Sequence, residues 1–479
     1  VSVLVVDVGT SGVRATVMRP DASIGRVHQV AVPPSRPSPG VVELDAAALA
    51  EAALAVASAA LAGEGSVGAV GIAAQRASTI VWERSTGRPV APGIGWQDLR
   101  TTGQCLLLRQ RGLRLSPNQS ATKLALLLDQ HDPARERDLC FGTVESWIAW
   151  TLSKESLHVT DATNAGVTGL VLPDGSDWDE SVLEVLRIPA RVLPRIVDSS
   201  GVAGEAAALP GAPPIAGLVG DQQASLLGQG CLRAGDAKAT FGSGAMLDCC
   251  TEERPSFAVR GEAGTVPIIA RQAGGVRHWG LEAIMLSAGS CVEWLRDGMQ
   301  LLTSTAESDA LAASVPDAGG ALFVPALAGL GTPLWDFGAR GTLVGLDGST
   351  TRAQVVRAVL EGVAQRGADL LEAAEADGGL HVKRLRVDGG MSANTTFVRL
   401  LASAIGRPVE LAELVEATAL GAGFLAGTAV GTWASLGEAA AQLRPRAVVE
   451  PSGRLDRERW LDARERALRT VPSLSALQF

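Results

Sequence analysis

Val1-Ser2-Val3-Leu4-Val5-Val6-Asp7-Val8-Gly9-Thr10-Ser11-Gly12-Val13-Arg14-Ala15-Thr16-Val17 opens the chain and decides its class. Residues 1–8 are a nearly continuous β-branched apolar run, the pattern of a strand buried on both faces. Gly9-Thr10-Ser11-Gly12 stops it as a turn, and residues 13–17 read as the returning strand of a hairpin. Asp7 sits at the mouth of that turn. Glycine lets backbone N–H groups approach an anion, and the Thr10 and Ser11 hydroxyls can donate. Asp7 could hold Mg2+ through water, since that ion keeps most of its hydration shell. An ordinary hairpin turn fits these residues equally well. The phosphate-loop pattern G-x-x-x-x-G-K-[ST] is absent.

Working outward, Phe241-Gly242-Ser243-Gly244-Ala245 echoes Val8-Gly9-Thr10-Ser11-Gly12 half a chain later, inside a strand–turn–strand reading of residues 237–246. The echo suggests a duplicated α/β unit. Residues 67–74 and 214–219 read as further apolar strands. Residues 45–61 are an alanine-rich helix with Asp45 as its cap. Residues 351–376 are a helix whose apolar positions recur every three or four residues, capped by Thr350 or Thr351. A short strand at 384–387 runs into Asp388-Gly389-Gly390 and a helix starting near Ala393. Strands alternating with helices define an α/β class.

The 479 residues call for two domains, and a hydrophobic fraction of 47% excludes disorder. Lys+Arg 42 against Asp+Glu 51 leaves a net charge of −9. No basic surplus exists for a nucleic-acid partner held through phosphates. Six cysteines form no C-x-x-C pair, which argues against a zinc or redox motif. The N-terminus lacks a basic, signal-like region. The uncharged run 417–437 is broken by glycines and threonines and reads as a packed helix, not a membrane span. A cytoplasmic protein without a membrane partner is expected. The chain contains no tyrosine.

Three further motifs carry chemistry. Gly220-Asp221-Gln222-Gln223 follows an apolar strand, where carboxylates project into ligand crevices. Asp221 there can accept a hydroxyl proton, or simply cap the helix that follows. Gly389-Gly390, with Asn394 beyond, lets a flat ring or a phosphate lie close to the backbone, or makes a plain tight turn. Gln75-Arg76 and Gly95-Trp96-Gln97-Asp98 offer an Arg, an indole, an amide and a carboxylate to a polyol; a surface Arg plus a core Trp is the simpler reading. His158 and Asp161 lack an activated Ser or Cys and read as structure, as do Cys249 and Cys250.

In order and context these motifs resemble the FGGY family of carbohydrate kinases, and within it the members that phosphorylate glycerol. The likeness also covers Phe141-Gly142-Thr143-Val144-Glu145-Ser146-Trp147, Thr160-Asp161-Ala162-Thr163-Asn164 and Gly329-Leu330-Gly331-Thr332-Pro333. It implies two actin-like (ribonuclease-H-like) domains flanking a catalytic cleft, residues 1–230 binding the polyol and 231–479 the nucleotide. It implies ATP and Mg2+, transfer to a primary hydroxyl of a polyol or sugar, and a homodimer. Asp221 matches the catalytic base, and Asp7 with Asp221 the metal positions. Thr10, Ser11, Arg14, Gly242, Ser243, Gly289, Gly390 and Asn394 match nucleotide-binding positions. Arg76, Trp96, Asp221 and Gln222 match polyol positions.

The likeness breaks in the polyol pocket. Ala77 stands where those members carry Glu, Asn118 where they carry Tyr, and Met246 where they carry Phe. Two lost partners for hydroxyls and a larger space imply a substrate larger than glycerol, or a ketose. Residues 204–212 are short and lack the Gly/Arg-rich loop of bisphosphate-regulated relatives, so no such control is expected. A non-catalytic sensor is the competing reading.

Overall fold

The computed structural model describes residues 1–412 and 416–477. Strands Val3–Gly9, Gly12–Met18 and His28–Ala31 form an antiparallel meander. Ala69–Ala74 and then Pro214–Gly220 extend it in parallel from the Val3–Gly9 side. The second half repeats this order. Ala237–Phe241, Ala245–Cys250 and Val276–Met285 make the meander, and Leu385–Asp388 and Val409–Ala412 extend it in parallel from the Ala237–Phe241 side. The echo between the two glycine turns is therefore a repeat of topology. Both units lie in one 13-stranded sheet, joined where Ser200 pairs with Ala273.

Most elements follow the periodicity. The Ala46–Glu64 helix is capped by Asp45, whose side chain accepts from Ala48 N at 3.0 Å. Thr351 and Gln354 form a reciprocal capping box at the start of the Arg352–Gly378 helix. One boundary differs. Gly390–Ala393 is a 3-10 turn, and the α-helix starts only at Thr395, because Asn394 adopts extended backbone and its side chain caps Phe397 N at 2.8 Å. Among the described residues one helix, Ala46–Glu64, is long and apolar enough to cross a membrane, but it packs against the first sheet. The Ala417–Ala429 helix is shorter than a span.

The Ala417–Ala429 helix belongs to the second half of the chain yet covers the first sheet. Leu420, Ala422, Leu425 and Ala426 share a core with Val3, Val5, Ala69, Ala73, Ala216 and Val219. It also crosses the Asp221–Gly228 helix at backbone contact. A Cβ on Gly228 would lie 1.8 Å from the Ala417 carbonyl oxygen, and one on Gly421 would lie 1.9 Å from that of Ala224.

A buried polar scaffold holds the end of the Pro214–Gly220 strand. Thr143 and Thr160 donate to Glu145. Asp161 accepts from Thr163 N at 2.9 Å and from Ser199 Oγ at 2.6 Å. Thr163 Oγ1 in turn accepts from Gly220 N at 2.9 Å. His158 bonds the Phe141 carbonyl oxygen at 2.7 Å, a structural role. Burial, reinforced by neighbouring Asp161, pushes the Glu145 carboxyl up to about 7. A carboxyl raised in the folded state contributes stability below its unfolded pKa, and that contribution is lost as pH rises through the folded value. Glu145→Gln is therefore expected to show a smaller loss of Tm than the native chain between pH 4.5 and 7, with a constant difference above. Parallel Tm–pH curves would contradict this.

Candidate active site

The predicted residues gather in two groups around the cleft between the halves. In the phosphate group, the Val3–Gly9 strand delivers Asp7 and the next strand delivers Arg14. Arg14 Nη2 lies 2.9 Å from Asp7 Oδ2, and Arg14 also reaches Glu416 at 3.4 Å. The approach to Asp7 is not aligned as a hydrogen bond, which leaves Oδ2 buried without a directed donor. Thr10 Oγ1 accepts from Trp96 Nε1 at 3.3 Å, and Ser11 is exposed.

Across the cleft, the Gly242 carbonyl oxygen accepts from Gly289 N at 2.8 Å, and that of Ser243 accepts from Ala288 N at 2.7 Å. A Cβ on Gly289 would lie 2.6 Å from the Gly242 oxygen, so only glycine allows this contact. The glycine that the third loop needs sterically is Gly389, at φ 87° with its Cβ position 2.5 Å from the Phe241 carbonyl oxygen. Gly390 beside it faces open space. Asn394 differs from a free ligand group: its oxygen caps the helix, and its Nδ2 donates to Ser308 Oγ at 3.0 Å.

In the polyol group, Arg76 is the hub. Its Nε is 3.6 Å from Asp221 Oδ1, its Nη2 donates to Glu282 Oε2 at 2.5 Å, and Met246 Sδ lies 4.0 Å away. Arg76 Nη1 is buried without a partner among the described residues. Asp221 is the first residue of the Asp221–Gly228 helix; Gly220 occupies the cap position. Ala77 is buried in the left-handed region at φ 58°, and its carbonyl oxygen accepts from Ser120 Oγ at 3.1 Å. Asn118 Nδ2 donates to the Trp96 carbonyl oxygen at 3.3 Å. Trp96 thus touches the phosphate turn and the Asn118 loop together.

Three charged residues of this wall escaped the sequence reading: Glu282, Lys238 and Asp248. Lys238 Nζ is 2.7 Å from Asp248 Oδ2, 2.7 Å from Gln222 Oε1 and 3.0 Å from Thr240 Oγ1. For Lys238 and Asp248 the signal was present as lone charges inside otherwise apolar strands, but such charges also mark a solvated face. Asp388, at the end of its strand, accepts from Ser225 Oγ at 3.0 Å and Gln229 Nε2 at 2.9 Å. Both donors ride on the short helix that begins with Asp221 and on its C-terminal cap.

The electrostatics suit proton transfer. Burial raises the Asp221 carboxyl, against the opposing pull of Arg76, the Gln222 N–H and Lys238. Burial raises Asp7 to about 6; Arg14 opposes this, while Asp221 and Glu416 add to it. A buried carboxylate with an undirected oxygen, raised further by half-buried Asp221, fits a divalent cation. Asp7 and Asp221 would hold Mg2+ beside the phosphates, and among the described residues no cluster of three or more ligating side chains closes a protein cage there. When bound, that ion neutralises charge on the transferring phosphoryl group.

A carboxylate beside a buried arginine, with glycine turns in both halves of the chain, suits a phosphotransferase with an alcohol group as acceptor. Residues 2–228 match the N-terminal domain and residues 237–430 the C-terminal domain of the FGGY family of carbohydrate kinases. The chain belongs to that family. It is 42% identical over 451 residues to a glycerol kinase of Trichlorobacter lovleyi, covering 90% of each chain. It is 42% identical over 489 residues to one of Aromatoleum aromaticum, covering 97% of this chain and 98% of that one. The solved glycerol kinase of Plasmodium falciparum with ADP superposes with a TM-score of 0.90 at 26% identity, covering 100% of this chain and 99% of that one. The fold is two actin-like domains flanking a cleft. The enzyme uses ATP and Mg2+ to phosphorylate a polyol or sugar, and the comparisons lend no support to a non-catalytic sensor.

The Asp388 network joins the Asp221–Gly228 helix to the Gly389-Gly390 loop. Gln229→Leu removes one donor from a buried carboxylate, which costs about 1–3 kcal/mol. Chemical denaturation is expected to register that loss, and steady-state kinetics a raised KM for ATP with the acceptor KM little changed. An unaltered KM for ATP would rule out the coupling.

Proposed function

We propose that Asp221 is the catalytic base of this kinase, taking the proton of a primary hydroxyl as it attacks the terminal phosphoryl group of ATP. The observation that carries this is the raised, half-buried Asp221 carboxylate 3.6 Å from Arg76 at the start of its helix. A primary hydroxyl is a poor nucleophile at neutral pH, and a positioned base contributes about 10²–10⁴-fold. Arg14, the Thr10 and Ser11 hydroxyls and the turns at Gly242-Ser243 and Gly289 would align the phosphates; Gly390 and Asn394 would flank the base of the nucleotide. Arg76, Trp96, Gln222, Asn118 and Met246 would line the acceptor pocket. Residues 1–230 would carry that pocket and 231–479 the nucleotide, in a cytoplasmic homodimer.

The acceptor is proposed to be larger than glycerol, the name the relatives carry. Ala77 and Asn118 support this: neither supplies an acceptor as strong as a carboxylate, and both leave space. Asp221→Asn is expected to lower kcat by at least about 10²-fold with the fold intact; retained turnover would exclude Asp221 as base. A panel of C3–C6 polyols and sugars tests the size reading, and glycerol with by far the highest kcat/KM would refute it. Ala77→Glu, which restores a carboxylate, is expected to raise kcat/KM for glycerol relative to longer acceptors.

A further inference from the structure

Glu416 reaches the first phosphate turn from the second half of the chain, and proton transfer at Asp221 does not use it. It is the N-cap residue of the Ala417–Ala429 helix, yet its side chain makes no capping hydrogen bond. The one partner of its carboxylate among the described residues is Arg14, whose Nη1 donates to Oε2 at 3.4 Å. Backbone packing fixes where this carboxylate stands. The next residue is Ala417, whose carbonyl oxygen lies 1.8 Å from where a Cβ on Gly228 would be. The start of the helix is therefore pinned to the Asp221–Gly228 helix.

Arg14 stands opposite Asp7 on the neighbouring strand, in direct register. Its Nη2 lies 2.9 Å from Asp7 Oδ2, and a Cβ on Gly9 would lie 4.0 Å from the same nitrogen. The guanidinium thus sits beside the first glycine turn. An arginine next to a lone carboxylate frequently grips it with two parallel hydrogen bonds. Arg14 does not: its two terminal nitrogens go to two different carboxylates. Stability does not explain the second one. The Arg14 and Glu416 side chains are 38% and 27% exposed, and an ion pair so open to water contributes little. What Glu416 supplies is direction. Arginine is rich in rotamers, and without a second tether Arg14 is free to turn into solvent or to fold onto Asp7.

We propose that Glu416 is a positioning residue for Arg14: it holds one guanidinium nitrogen so that the arginine stays at the Gly9-Thr10-Ser11-Gly12 turn, set for the phosphates, and does not close over Asp7. This rests on the reading of Arg14 as a phosphate-aligning residue. Glu416 touches no reacting atom and acts only through Arg14.

The test is a double-mutant cycle of Glu416→Ala and Arg14→Ala, read by calorimetric titration with MgATP and by steady-state kinetics. Glu416→Ala is expected to weaken MgATP binding about three- to tenfold and to raise the KM for ATP alike, while the acceptor KM and the Tm hold. In the Arg14→Ala background the same change is expected to cost less than about twofold. Glu416→Gln, which keeps the shape without the charge, serves if the alanine variant does not fold, with a loss in the same direction. Unchanged or tighter MgATP binding in Glu416→Ala would overturn the proposal, as would an equal loss with Arg14 already removed. A lowered Tm with both KM values raised together would also overturn it, since that marks a merely structural residue. Arg14→Ala with full MgATP affinity would sink the reading of Arg14 itself, and the proposal with it. A loss in Arg14→Ala with none in Glu416→Ala would sink the proposal alone.

Discussion

The structure depends on one backbone contact, the crossing of the Asp221–Gly228 and Ala417–Ala429 helices. No side chain fits between them at Gly228 or Gly421. The first helix carries Asp221 at its start and, through Ser225 and Gln229, grips Asp388 beside the Gly389-Gly390 loop. The second helix lies on the first sheet, where Gly71 and Gly217 admit the Ala422 carbonyl oxygen at 2.5 and 2.8 Å from their Cβ positions. Cores packed to crystal-like density shift as units, not by gradual deformation. The crossing therefore fixes the Asp221–Gly228 helix, and with it Asp221 and the Asp388 contact, against the first sheet.

The cleft itself is closed by charge. Arg76 leaves the first domain and meets Glu282 of the second at 2.5 Å, both largely buried. Burial alone would lower the guanidinium pKa, yet Glu282, Asp221 and Asp248 leave it raised. A buried pair of this kind is weak as a source of stability and strong as a constraint on geometry. Here it fixes the arginine so that one nitrogen is turned to Asp221.

Much of this was legible in the chain because local rules and tertiary packing agree. The first strand, the Asp45 cap and the Thr351 cap all lie where periodicity and capping chemistry put them. The carboxylates at Asp7, Asp221 and Asp388 were legible because each stands near the end of an apolar run, just before a glycine turn or a helix. The rest was hidden by contacts distant in sequence. Lys238, Asp248 and Glu282 each look like a surface charge until three strands set them side by side. Ala77 shows no sign in its residue type of its left-handed backbone. Asn394 fits a ligand position by motif, but the helix claims its oxygen and Ser308 its amide.

The helix that completes the first sheet is encoded about 200 residues after that sheet's last strand, since Pro214–Gly220 ends well before Ala417–Ala429 begins. At about 5–20 residues per second, roughly 10–40 s of synthesis separate the two. Throughout that interval the apolar face formed by Val3, Val5, Ala69, Ala73, Ala216 and Val219 lacks its main cover and has only Met18, Ala22, Ala224 and Leu227 beside it. The N-terminal half therefore cannot mature as it leaves the ribosome. Its exposed face is a natural client for chaperones, and a message truncated before residue 417 yields a half-built sheet, not a free-standing domain.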